Sequence, residues 1–98
     1  MTRNEALLTQ LAEEASEVAQ AASKCNRFGV EHTWHTHVGT AERRLFQEYV
    51  EVVAVMEMCI DAGLVTPYST EEYFAAIKAK REKVEKYLKV SMELGCVQ

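Results

Sequence analysis

Apolar residues recur every three or four positions through most of this chain, and the recurrence lapses in only two stretches, near 30–40 and 62–69. From about residue 4 to residue 25, Leu8, Leu11, Ala12, Ala15, Val18, Ala19 and Ala22 repeat at helical spacing, and Gly29, just after Arg27 and Phe28, marks a stop. A second helix is predicted from about 40 to 62, opened by Thr40 and ended near Gly63. Its main stripe is Leu45, Tyr49, Val52, Val53, Met56 and Ile60, but Val50, Ala54 and Met58 populate the other side, so burial on more than one face is expected. After Pro67, Ser69-Thr70-Glu71-Glu72 has the form of a capping box and predicts a third helix to about Leu94, with Phe74, Ile77, Val84, Tyr87 and Leu88 as its apolar stripe. Val30 to Thr40, with three histidines, Trp34 and Gly39, shows no helical repeat and reads as a loop. The expected fold is all-α, an antiparallel bundle with three main helices per chain. No internal repeat or low-complexity segment stands out.

Carboxylates interrupt this pattern where they are costly. Glu14 and Glu17 fall on the shoulder of the first stripe, and Glu48 and Glu51 on the shoulder of the second, with Arg44 on the same edge one turn before Glu48. Glu13 points nearly opposite the first stripe's centre. Residues three apart share a helix face, so each pair is a pair of like charges in contact. Two such pairs facing each other across a bundle cost several kcal/mol per ion to desolvate, at order of magnitude, unless cations gather there. Oxygen donors suit Mg²⁺ and Mn²⁺.

At 98 residues with one Pro and four Gly, the chain is expected to form a single domain over 1–98. A core this small is marginal alone, and with 48% hydrophobic residues and no disulfide framework a homo-dimer or homo-tetramer is expected. The three cysteines Cys25, Cys59 and Cys96 fit neither a disulfide scaffold nor a zinc pattern, which points to a reducing cytoplasm. Neither a signal pattern nor a membrane-length apolar run is present, so no membrane association is expected. A net charge of −4 argues against direct nucleic-acid binding, although Lys78, Lys80, Arg81, Lys83, Lys86 and Lys89 crowd the last helix.

The order Glu13-Glu14-Ala15-Ser16-Glu17 followed by Glu48-Tyr49-Val50-Glu51 reads E-E-x-x-E then E-x-x-E. It resembles the signature of the MazG-like all-α nucleoside triphosphate pyrophosphohydrolases, whose usual form is E-E-x-x-E then E-x-x-D. The resemblance spans nearly the whole chain. Ser23-Lys24 to Arg27-Phe28-Gly29 and Lys83-Val84-Glu85-Lys86-Tyr87-Leu88 look most like the short, phage-type members. It implies hydrolysis of a nucleoside triphosphate to the monophosphate and pyrophosphate, with Mg²⁺ held by Glu14, Glu17, Glu48 and Glu51 as catalytic metal ligands and Glu13 in support. One position departs from the family: Glu51 stands where Asp is usual, and its extra methylene changes the reach toward an ion that favours near-ideal octahedral geometry.

Cations are needed to hold the phosphates, and Lys24, Arg27 and Lys80 are the preferred candidates, with Arg44 and Arg81 beside them. Trp34 is a candidate to stack on a base, against the plainer reading that it covers the bundle's end. His32, His35 and His37 with Cys25 form only a weak transition-metal pattern. Two other functions stay open: a non-catalytic helical dimerisation or scaffold module using the second helix, and a phosphoribosyl-ATP pyrophosphatase-like activity.

Overall fold

The computed structural model describes residues 1–34 and 39–98, so the readings made for His35 and His37 lie outside the described residues. Three helices make up the fold, α1 (Arg3–Phe28), α2 (Ala41–Asp61) and α3 (Thr70–Glu93), which makes the chain all-α as expected. The chain forms two compact units, Met1–Thr66 and Pro67–Gln98.

In the first unit each helix begins on a threonine. The Thr2 hydroxyl accepts from the Glu5 N–H at 3.1 Å and the Thr40 hydroxyl from the Arg43 N–H at 3.4 Å, each satisfying a donor that the first helical turn leaves over. α1 stops at Gly29, which takes φ 96° and donates its N–H to the Cys25 carbonyl, a conformation that costs glycine little. The segment after it folds back onto the start of α2. The Glu42 N–H donates to the Val30 carbonyl and the Ala41 N–H to the His32 carbonyl, at 2.9 and 2.8 Å. This pinning gathers the Phe28, His32 and Trp34 rings, with His32 and Trp34 edge to face at 4.5 Å between centroids.

α1 and α2 pack on one another along a seam with coiled-coil spacing. On α1 the covered positions are Leu7, Leu11, Glu14, Val18, Ala21 and Cys25; on α2 they are Ala41, Leu45, Glu48, Val52, Val55 and Cys59, with Glu51, Met56 and Ile60 half-buried beside them. This corrects the apolar faces read from the sequence. Leu8, Ala12, Ala15, Ala19 and Ala22 are exposed within the described residues, as are Tyr49 and Val53. The reason is that both helices carry more apolar surface than a two-helix seam uses, so the centroid of each apolar arc is rotated away from the true contact. Glu14 and Glu48 consequently sit on the seam and not on its shoulder.

The two seams also correspond residue by residue at a spacing of 34 (14 to 48, 25 to 59), with Leu11/Leu45, Glu14/Glu48, Glu17/Glu51, Val18/Val52, Cys25/Cys59 and Gly29/Gly63 identical. Two antiparallel helices related in this way have approximate two-fold symmetry about their midpoint. The sequence by itself shows no repeat because the identities are sparse and become meaningful only once they mark the same seam positions.

The second unit is α3. Ser69 and Glu72 form the expected capping box, Glu72 accepting from the Ser69 N–H and Ser69 from the Glu72 N–H, both at 3.2 Å. The nearby Ser69 hydroxyl and, after it, the Ser69 N–H hold the Glu72 carboxyl below its usual range. No residue of α3 is buried, and its apolar stripe of Phe74, Ile77, Val84, Tyr87 and Leu88 is exposed. Among the described residues, no helix is long and apolar enough to cross a membrane.

Candidate metal centre

The seam brings the four predicted carboxylates together. Glu14, Glu17, Glu48 and Glu51 each offer one oxygen, and these oxygens lie within 4.8 Å of one another. Antiparallel packing is what makes this possible, because each helix contributes a pair three residues apart and the two pairs cross at the midpoint of the hairpin. Glu48 lies deepest, only 3% exposed.

One oxygen of each seam carboxylate is held by its own helix. Glu14 Oε1 accepts from Gln10 Nε2 at 2.8 Å, and Glu48 Oε1 accepts from Arg44 Nη2 at 2.9 Å. The other oxygen of each, Oε2, is buried and has no hydrogen-bond partner among the described residues. A buried carboxylate oxygen without a donor costs the desolvation of a charged group, at least about 1–3 kcal/mol. The Glu48 pKa is raised to about 7, burial being the main cause, with the neighbouring Glu17 and Glu51 carboxyls adding to the rise and the Arg44 charge opposing it.

A divalent cation fits this arrangement. The donors are all carboxylate oxygens, two of them lack a hydrogen-bond partner among the described residues, and a cation would offset both the burial of Glu48 and the repulsion among the four acids. Glu14, Glu17, Glu48 and Glu51 are the residues that could hold it. Glu13 is exposed and is not one of these four.

Beside the cluster, a cavity of about 390 Å³ opens toward the pinned segment, and Glu17 and Glu48 form the wall it shares with the carboxylates. Of the predicted cations, Lys24 and Arg44 line it, as does Trp34. Arg27 lies over the Phe28 ring, 5.0 Å from its centroid. Lys80 and Arg81 are on α3, in the second unit, and exposed. Two polar residues escape the sequence reading. Gln20 lines the cavity and Gln10 orients Glu14; the signal for Gln10 is its place four residues before Glu14, the same as that of Arg44 before Glu48. No family model, curated protein or solved structure matches the chain.

Proposed function

We propose that this protein is a Mg²⁺-dependent nucleoside triphosphate pyrophosphohydrolase, cleaving between the α and β phosphates to give a nucleoside monophosphate and pyrophosphate. The observation that carries the reading is the Glu48 carboxylate, buried at a helix–helix seam with one oxygen lacking a donor inside a four-carboxylate cluster. A stability role does not account for it, since an apolar residue at that seam position would pack without a desolvation cost. The resemblance to the short, phage-type MazG-like enzymes assigns the same four residues to the metal.

Glu14, Glu17, Glu48 and Glu51 would hold Mg²⁺, or Mn²⁺ in its place. When bound, the ion neutralises phosphate charge, polarises the α-phosphorus and lowers the pKa of water. The side chains do the rest. Glu17, exposed and on the cavity wall, is placed to orient the attacking water and accept its proton. Lys24 and Arg44 donate to phosphate oxygens from the cavity, and Arg27, Lys80 and Arg81 are further candidates for that work.

The same reading includes self-association in the cytoplasm. Phe46 is 65% exposed beside exposed Tyr49, Val50 and Val53, and α3 buries none of its residues, so large apolar surface awaits a homo-dimer or homo-tetramer. Those faces also support the scaffold alternative, which requires no hydrolysis. The deciding experiment is pyrophosphate release from a panel of nucleoside triphosphates with Mg²⁺, repeated for Glu14→Gln and Glu48→Gln after circular dichroism has verified their folding. Release by the native protein and its loss in both variants is expected; no release from any triphosphate, with no Mg²⁺-dependent rise in melting temperature, overturns the proposal.

A further inference from the structure

The two faces of the α1–α2 layer differ in chemistry. With Glu14 and Glu48 marking the seam and about 100° per residue, Leu8, Ala12, Ala15 and Ala19 of α1 fall roughly 100–160° to one side, as do Phe46, Tyr49 and Val53 of α2. Glu17, Gln20, Lys24 and Glu51 fall roughly 60–120° to the other side. The approximate two-fold axis that exchanges two antiparallel helices runs perpendicular to their layer, so it carries each face onto itself. The seven apolar residues therefore share one face, and all seven are exposed. The carboxylate shoulders share the opposite face with the cavity that Glu17, Gln20 and Lys24 line.

Side-chain size divides the apolar face in two. In the 34-residue correspondence Ala12 matches Phe46, Ala15 matches Tyr49 and Ala19 matches Val53, so α1 is the low half and α2 the raised half. The Phe46 and Tyr49 rings lie side by side on that ridge, 5.7 Å between centroids. Residues 1–66 hold ten acidic and five basic residues, yet none stands at these seven positions, and Glu42 and Glu57 close the two ends of the ridge. A centre without charge inside a polar rim is the anatomy of a protein interface.

We propose that this face receives a second copy of the chain, with α1 of each copy against α2 of the other, and that both carboxylate centres face away from the partner. A two-fold axis parallel to the helices brings two such faces together and sets each ridge over a low half; an axis across the helices would set ridge against ridge. Every neighbouring pair of helices is then antiparallel, as in a four-helix bundle. The area suffices. The 21 residues of α2 extend about 30 Å at roughly 1.5 Å per residue, and two adjacent helices are about 20 Å wide. Each copy thus covers about 600 Å², and the pair about 1,200 Å², the lower limit of stable interfaces. This goes beyond the self-association already proposed, because it names the surface, gives each helix its mate and leaves every copy with a complete centre of its own. It also separates this assembly from a scaffold in which the second helix meets its own counterpart.

Ala15→Lys and Tyr49→Glu test both the face and the pairing. Each alters an exposed side chain on the side away from the carboxylates, so the hairpin is expected to fold in both, as circular dichroism can verify. Analytical ultracentrifugation of the full chain at micromolar concentration should give a dimer or a multiple of one for the native protein and half that mass or less for each single variant. The native mass should return in the double variant, where opposite charges meet across each contact between α1 and its partner's α2. Pairing of like helices would instead bring like charges together, so a double variant no heavier than the single ones overturns the pairing. A native monomer overturns the whole proposal, whether α3 or another protein covers the face, and so does a native mass kept by both single variants. Mg²⁺ affinity, measured by calorimetry, should stay within about threefold of native in the single variants, since the two faces are separate. A loss of more than about tenfold on dissociation overturns the placement of the centres away from the partner.

Discussion

Glu14 and Glu48 occupy equivalent positions on α1 and α2, and in each the side chain four residues earlier holds Oε1 while Oε2 is left buried without a partner among the described residues. The holders differ in charge, Gln10 on one helix and Arg44 on the other. Glu48 is the more deeply buried of the two, and its pKa is raised to about 7, burial outweighing the opposing charge of Arg44. The centre therefore stores an electrostatic cost that either a proton or a cation relieves.

Replacing that acid by its amide separates the two forms of relief. In Glu48→Gln the side-chain carbonyl still accepts from Arg44, and the amide N–H supplies a neutral donor beside the Glu17 and Glu51 carboxylates. Without divalent cations at pH 8, the variant should melt several degrees above the native protein, since about 1 kcal/mol corresponds to roughly 4–8 °C in a domain of this size. With millimolar Mg²⁺ the order should reverse, because only the native protein gains from the ion. Melting curves with EDTA and with Mg²⁺ measure both, and a variant less stable than native in EDTA contradicts the account.

Stability without metal should fall as pH rises. Glu48 ionises near 4.5 in the unfolded chain and near 7 in the folded one, so between those values the folded state holds more proton. Unfolding then becomes easier with each increment of pH, the stabilising effect being complete below 4.5 and lost through 7. The full effect is on the order of 3 kcal/mol, from about 1.4 kcal/mol per pKa unit. Urea denaturation at pH 5 and pH 8 in EDTA should show it, and the difference should shrink in Glu48→Gln. Mg²⁺ affinity should run the other way, rising with pH up to about 7, because the ion must displace the proton.

Helix limits were legible in this chain because they depend on local chemistry: Thr40, Gly29 and the Ser69–Glu72 box each act within one turn. The four carboxylates were legible because their spacing is helical. Their depth was not. Periodicity locates an apolar arc, but α2 is apolar nearly all round, and which line of that arc meets α1 depends on shape. Leu7 and Cys25 end up covered while Leu8 and Tyr49 do not. Gln10 was missed for a related reason, since a neutral amide on an exposed turn acquires meaning only when the oxygen it holds is known to be on the seam.

Gln10 should matter to the metal more than to the fold. Its bond to Glu14 is on the surface, so Gln10→Ala is expected to cost less than about 1 kcal/mol of stability. Freeing Glu14 to rotate, however, should weaken Mg²⁺ binding by about tenfold, the usual scale for a residue that orients a ligand. Calorimetric titration with Mg²⁺ alongside a melting curve reads the two effects separately. Equal losses in both would make Gln10 a structural residue only.

The span of the cluster bears on which cation it prefers. Octahedral Mg²⁺ places opposed ligands roughly 4.2 Å apart, whereas Ca²⁺, with longer bonds, places them roughly 4.6–5.2 Å apart. The four oxygens lie within 4.8 Å of one another, and Glu51, one methylene longer than the Asp usual in the MazG-like signature, has the reach to meet an ion of either size. Binding of Ca²⁺ should accordingly be within about tenfold of Mg²⁺, and Ca²⁺ should suppress Mg²⁺-dependent pyrophosphate release by competition, since it occupies the carboxylates with looser geometry. Competitive titration of the two ions tests this. Preference for Mg²⁺ by more than about 100-fold would mean that the four side chains close tightly around the smaller ion, a rearrangement that a seam fixed by Val18, Val52 and their neighbours is expected to resist.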